Sequence, residues 1–184
     1  MRAGTLRATP RTQSSIFIRP DDGADGVLFN ASPDILEQIR SHPVLQPARA
    51  VRDSAIAGVV LMDGQIDHAT GLFMLRERGS PLPLWCTDPV AQDLSEGNPV
   101  LRVLGHYCGV HRERIVPDGS SFSIPSVAGL SLRAFALASK AARPACPSGC
   151  SASKAPALMS ASTARLLMRW RSTRAQKSNR LRNG

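Results

Sequence analysis

Apolar residues over the first 140 or so positions fall into short runs divided by turn residues, which predicts strands interleaved with brief helices. Ile56-Ala57-Gly58-Val59-Val60-Leu61 is a continuous apolar run, the mark of a strand buried on both faces. Residues 13–18 read as a strand ended by Pro20 and the acidic turn Asp21-Asp22-Gly23. Residues 27–30 read as its return, so the two are expected to pair as a hairpin. Ser32 reads as an N-cap, with Pro33 at the first helical position and Asp34 in the first turn. Ile35, Leu36 and Ile39 then make an amphipathic helix that ends near His42-Pro43. A helix is expected from about Leu72 through Glu77, and a short strand over 82–86. Pro83 predicts that this strand lies at a sheet edge or that the proline is its first residue. Residues 88–95 and 98–106 read as helical, 114–116 as extended, and 130–135 as an alternating strand. Strands interleaved with helices argue α/β or α+β rather than a helical bundle.

Charge divides the chain. Of its 23 basic residues, 12 lie within residues 1–118 together with all 14 acidic ones; the other 11 lie beyond, so the net +9 belongs to the C-terminal part. That tail, 141–184, is rich in Ala, Ser, Arg and Pro. Within it residues 155–178 have helical propensity, with Leu158, Met159, Leu166, Leu167, Met168 and Trp170 as an apolar set. The tail has one aromatic residue, Trp170, and no recognisable DNA- or RNA-binding module, so a solvated, helical or disordered extension is expected and no specific nucleic-acid partner. Aromatics are only 4% of the chain, which limits how much area its core can bury. The N-terminus has no apolar core of a signal peptide, and no run approaches the ~20 apolar residues that span a bilayer. Cys86, Cys108, Cys146 and Cys150 make no disulfide framework, and Cys146-x3-Cys150 is weak as half a zinc site. A reduced, cytoplasmic protein is therefore expected.

The chemistry concentrates in Met62-Asp63-Gly64-Gln65-Ile66-Asp67-His68-Ala69-Thr70-Gly71-Leu72, directly after the central apolar run. Ligands gather at strand ends in open α/β sheets because the loops there converge on a crevice. In an extended loop, positions i and i+2 project to one side, which puts Asp63 and Gln65 towards one site; a turn re-aims Asp67 and His68. On spacing alone, Asp67-His68 at a helix start fits a cap and a surface histidine more readily than a metal site. His106 and His111 are the nearest substitutes for a further ligand, though a solvated structural role suits them better. His42 sits at a helix end, where its charge interacts with the dipole.

In position and spacing this segment resembles the His-x-His-x-Asp-His motif of the metallo-β-lactamase superfamily, read here as Asp63-x-Gln65-x-Asp67-His68. Its degenerate form and its flanks are similar to the coenzyme PQQ (pyrroloquinoline quinone) synthesis protein B family. Further collinear blocks carry the likeness: residues 2–16, Asn30-Ala31-Ser32-Pro33-Asp34-Ile35, Leu84-Trp85-Cys86-Thr87-Asp88 and Ser121-Phe122-Ser123-Ile124-Pro125.

The resemblance implies a partial αββα sandwich over 1–140, with 141–184 as the basic tail. The likeness fades after about Lys140, the family is longer at both ends, and an incomplete copy with a tail in a shifted reading frame is expected. Asp67 and His68 are the implied metal ligands; joined by one distant His they make the two-histidine, one-carboxylate set that suits Fe(II). Asp63 and Gln65 replace the motif's first histidine pair, which disfavours a dinuclear zinc hydrolase and leaves Asp63 to orient a ligand from behind. The implied cofactor is Fe(II) or Zn, held weakly or not at all here, because two protein ligands fall short of the usual three. The implied function is metal-dependent hydroxylation of a tyrosine-derived precursor, peptide or small molecule, in PQQ biosynthesis. The alternative is carriage of PQQ or its precursor to the periplasm. Asn30-Ala31-Ser32 is expected to shape the strand-to-helix turn, near the catalytic edge of the implied fold, and Thr9, Arg11 and Gln13 to face substrate or to hold the loop.

Overall fold

A computed structural model describes residues 11–137, apart from Ser14 and Asp22, and the backbone path of 165–172. Five strands make the first sheet: β1 (Ile16–Ile18), β2 (Gly26–Phe29), β3 (Ile56–Val60), β4 (Leu82–Cys86) and β5 (Val110–Arg114), side by side in that order. The hairpin forms as expected, β1 antiparallel to β2 with Phe17 opposite Leu28, while β2 to β5 run parallel. Parallel neighbours need crossovers. These are α1 (Ile35–Ser41), α2 (Ile66–Ala69) with a 3₁₀ continuation over Thr70–Leu75, α3 (Asp88–Gln92) with a π-helical turn over Asp93–Gly97, and α4 (Val100–Leu104). A second, antiparallel sheet joins β6 (Asp118–Ser123), β7 (Leu130–Leu137) and β8 (Arg165–Ser172).

Two apolar clusters cement three layers. Leu28, Ile56, Val59, Leu82, Leu84 and Cys86 face the helices, meeting Ile35, Ala69, Leu72, Val90, Leu94, Val100 and Leu104. Val27, Phe29 and Val60 face the other way onto Ile124, Val127, Leu132 and Ala134 of the second sheet. Alternation along β2 accounts for both contacts, since successive side chains of a strand point to opposite faces. This α/β/β stack supplies three of the four layers of an αββα sandwich among the described residues.

Four expectations need correction. β4 is an interior strand, not an edge, and Pro83 is its second residue. Its ladder to β3 runs only through Leu84 and Trp85, so the missing N–H falls where no β3 partner is registered. Ser32 does not cap α1, whose preceding residue is Asp34; Ser32 is buried, its hydroxyl set against Gln38 Oε1 and its carbonyl accepting from Ile35 N. The expected extension at 114–116 begins earlier, at Val110, because Val110-His111-Arg112-Glu113-Arg114 is a polar edge strand without apolar alternation. Finally, Arg165–Ser172, within the stretch expected to be helical, forms β8 against β7. The remainder of the tail, Cys146 and Cys150 included, lies outside the described residues.

Candidate functional site

The parallel strands end towards one edge, and there the loops after β2 and β3 meet. Asn30 N donates to Val60 O at 2.9 Å, and Met62 N donates to Asn30 Oδ1 at 3.0 Å. Further along, Ala31 N donates to His68 O at 2.7 Å and Gly71 N to Ala31 O at 2.8 Å. The loop after β2 is thus stitched to the end of β3 by one hydrogen bond and to the chemistry-bearing segment by three.

Asp63 turns inward and is 2% exposed. Its Oδ1 accepts from Gln65 N at 3.0 Å and lies 2.7 Å from His68 Nδ1. A carboxylate accepts only, so in this contact Nδ1 is the donor; in the tautomer with its proton there, Nε2 has a lone pair to offer. That atom lies 3.9 Å from Asp67 Oδ2, with the His68 side chain 24% and Asp67 51% exposed. Two electron-pair donors face each other beyond hydrogen-bond range. Zinc-bound N and O stand about 3.4 Å apart if bonds of about 2.0–2.1 Å meet at a tetrahedral angle, so a cation fits between them with a small adjustment. The donor chemistry, imidazole beside carboxylate, suits zinc or iron.

The four expected positions, Asp63, Gln65, Asp67 and His68, all line one open cleft of about 440 Å³, together with Asn30, Met62 and Leu137. Among the described residues no group of three or more His, Cys, Asp or Glu side chains converges in a metal-holding arrangement. His106 follows α4 and His111 lies on β5 beside Glu113; both are exposed and neither lines the cleft. His42 Nδ1 lies 2.9 Å from Gln38 O at the end of α1. Gln13 holds its loop, its N–H donating to Asp34 and its carbonyl accepting from Gln38, while Arg11 is exposed away from the cleft. Thr9 lies outside the described residues. The sequence placed Asn30 near the catalytic edge, and it lines the cleft; the hydrogen bond from Met62 N to its side chain and the packing role of Gly71 were missed. A Cβ on Gly71 would stand 2.2 Å from Ser32 O, so this close approach requires glycine.

Comparison with known proteins places the chain in a family. The Beta-lactamase superfamily domain profile matches residues 26–161, and the chain belongs to that superfamily. Within it the chain is similar to coenzyme PQQ synthesis protein B. It is 57% identical to that of Cupriavidus necator over 141 residues, 77% of this chain and 46% of the relative. Likewise it is 56% identical to that of Azoarcus sp. over 141 residues, again 77% and 46%. The chain therefore spans about half the length of these curated relatives. Among solved structures, zinc-bound PqqB from Methylobacterium extorquens aligns with a TM-score of 0.62 and 38% identity, covering 74% of this chain and 43% of that one. A diphosphatase of the PhnP family, at TM-score 0.50 and 19% identity over 67% of this chain and 43% of that one, shares the fold alone.

Proposed function

We propose that this chain carries part of a metal site that serves pyrroloquinoline quinone biosynthesis in the cytoplasm. Asp67 Oδ2 and His68 Nε2 are the two metal-binding atoms it contributes. The observation behind this reading is the pair of facing electron-pair donors, with Asp63 buried behind the imidazole. Carboxylate–imidazole–metal relays of this kind fix the ring and raise its basicity. Asp63 holds His68 by Nδ1, and Gln65 locks Asp63 through its backbone N–H while its amide lines the cleft. With two ligands from the described residues, binding is weak, since transition-metal sites normally use three. Similarity to the curated relatives supports the pathway, and the zinc-bound relative supports the metal.

Asp67 and His68 would hold the metal, and iron(II) bound there with open coordination positions would supply dioxygen chemistry suited to hydroxylating a tyrosine-derived precursor. The chain's own residues orient the imidazole, keep its outer nitrogen free, and hold a carboxylate beside it. Calorimetric titration with Zn²⁺ tests the reading. Wild type should bind about one equivalent, His68→Ala none, and Asp63→Ala about tenfold or more weakly, the usual cost of removing such a partner. A carrier that does without metal would instead bind PQQ unchanged in chelator. Equal zinc binding by wild type and His68→Ala would overturn the proposal.

A further inference from the structure

Asn30 is built into the cleft as more than a turn residue. Among the described residues it is the one non-glycine with a left-handed backbone, φ 60°, a conformation that asparagine tolerates better than most residues. Met62 N–H donates to its Oδ1, which settles the amide's orientation: the carbonyl faces the end of β3 and the NH₂ faces away. The residue is only 9% exposed. Yet Nδ2 has no hydrogen-bond partner among the described residues, nor is it among the partnerless polar atoms sealed in the interior, Ser15 Oγ, Arg78 Nε and Ser126 Oγ. Asn30 is itself one of the residues that line the cleft of Asp67 and His68. Gln65 brings a second amide to that cleft, but no hydrogen bond anchors its side chain.

We propose that Asn30 is a substrate-positioning residue whose Nδ2 donates a hydrogen bond to a carbonyl or carboxylate oxygen of the molecule bound beside His68. This rests on the function proposed above. A fixed, buried NH₂ recognises an oxygen acceptor, because a ligand lacking one leaves the donor unpaired. Asp63 and Asp67 are the cleft's own charged groups and repel a free anion, so the acceptor is neutral or is compensated by the bound cation.

The test uses the full chain loaded with Zn²⁺ and PQQ, a quinone tricarboxylate, as the probe, followed by absorbance titration. Asn30→Asp keeps the acceptor for Met62 N–H and tolerates the left-handed backbone but loses the donor; Asn30→Gly is uncharged, fits the backbone and also loses it. Both variants should bind PQQ at least tenfold more weakly, with zinc affinity within threefold of wild type; Asn30→Asp should keep the wild-type melting temperature, whereas Asn30→Gly, which also removes the acceptor for Met62 N–H, should melt a few degrees lower. Asn30→Gly binding PQQ within threefold of wild type would overturn the inference, whatever Asn30→Asp does, because charge alone then explains the latter. Wild type that binds zinc but not PQQ overturns the inference and leaves the metal reading standing. Wild type that binds neither overturns both.

Discussion

Gly71 leaves no room for a methyl group: the oxygens of Ser32 and Ala31 lie 2.2 and 2.7 Å from where a Cβ would stand. Both belong to backbone held by hydrogen bonds, so neither yields cheaply. Gly71→Ala should therefore cost about 2–3 kcal/mol or more by overpacking, read as a lower urea midpoint at unchanged slope. A shift under about 0.5 kcal/mol, the scale of a neutral surface change, would mean that the two loops are not packed this closely. That Asp63, Gln65, Asp67 and His68 share one cleft was legible in the sequence because one loop holds them all, and a motif of contiguous residues needs no knowledge of the fold. The contact of Asn30 with Met62 and the packing of Gly71 were not, although the place of Asn30 near the catalytic edge was. They arise only once β2 and β3 lie side by side, which brings Asn30 to Met62, 32 residues on.

At the scale of elements, α3 shows how a helix start is tuned. Thr87 is its N-cap, its side chain accepting from Val90 N, and Pro89 lies in its first turn. Asp88 also lies there, where its carboxylate complements the helix dipole. Arg112 and Arg114 of β5 pair with it; the hydrogen bond from Arg112, chiefly, holds its carboxyl below the ordinary range. A carboxyl depressed in the folded state stabilises above its unfolded value, about 3.9, and that contribution is lost as pH falls through the lower folded value. Stability should thus decline on acidification below about pH 4, and Asp88→Asn should flatten part of that decline. Urea unfolding at pH 5 and pH 3 measures it; identical pH dependence in wild type and variant would contradict the pairing. The effect is small, for the group is exposed and screened.

Local rules failed where neighbours decided. Pro83 reads as an edge marker, yet the partial ladder to β3 admits it inside the sheet. Residues 165–172 favour helix by composition, but they also alternate, with Leu166, Met168 and Trp170 at every second position. Register sets these opposite Ala136, Ala134 and Leu132 of β7, and tertiary pairing outweighs propensity there. The buried strand at 56–60, the hairpin and the alternating β7 were legible because hydrophobic period alone specifies them.

Across the whole molecule, the net positive charge belongs to residues 119–184. Residues 1–118 carry 14 acidic against 12 basic side chains, and the cleft's own charges are acidic. The helix layer and the second sheet clamp the central sheet from both sides, so β2 and β3 end at fixed positions and deliver Asn30, Asp63 and His68 to one edge. Among the described residues no helix is long and apolar enough to cross a membrane. On the proposed reading, His68 is held from behind by Asp63 and offers its outer nitrogen to a metal beside Asp67. Nitrogen-15 NMR of the His68 ring during Zn²⁺ titration reads both nitrogens at once. Nδ1 should stay protonated before and after zinc, with the large shift confined to Nε2. A shift at Nδ1, or a ring that zinc leaves untouched, would contradict it.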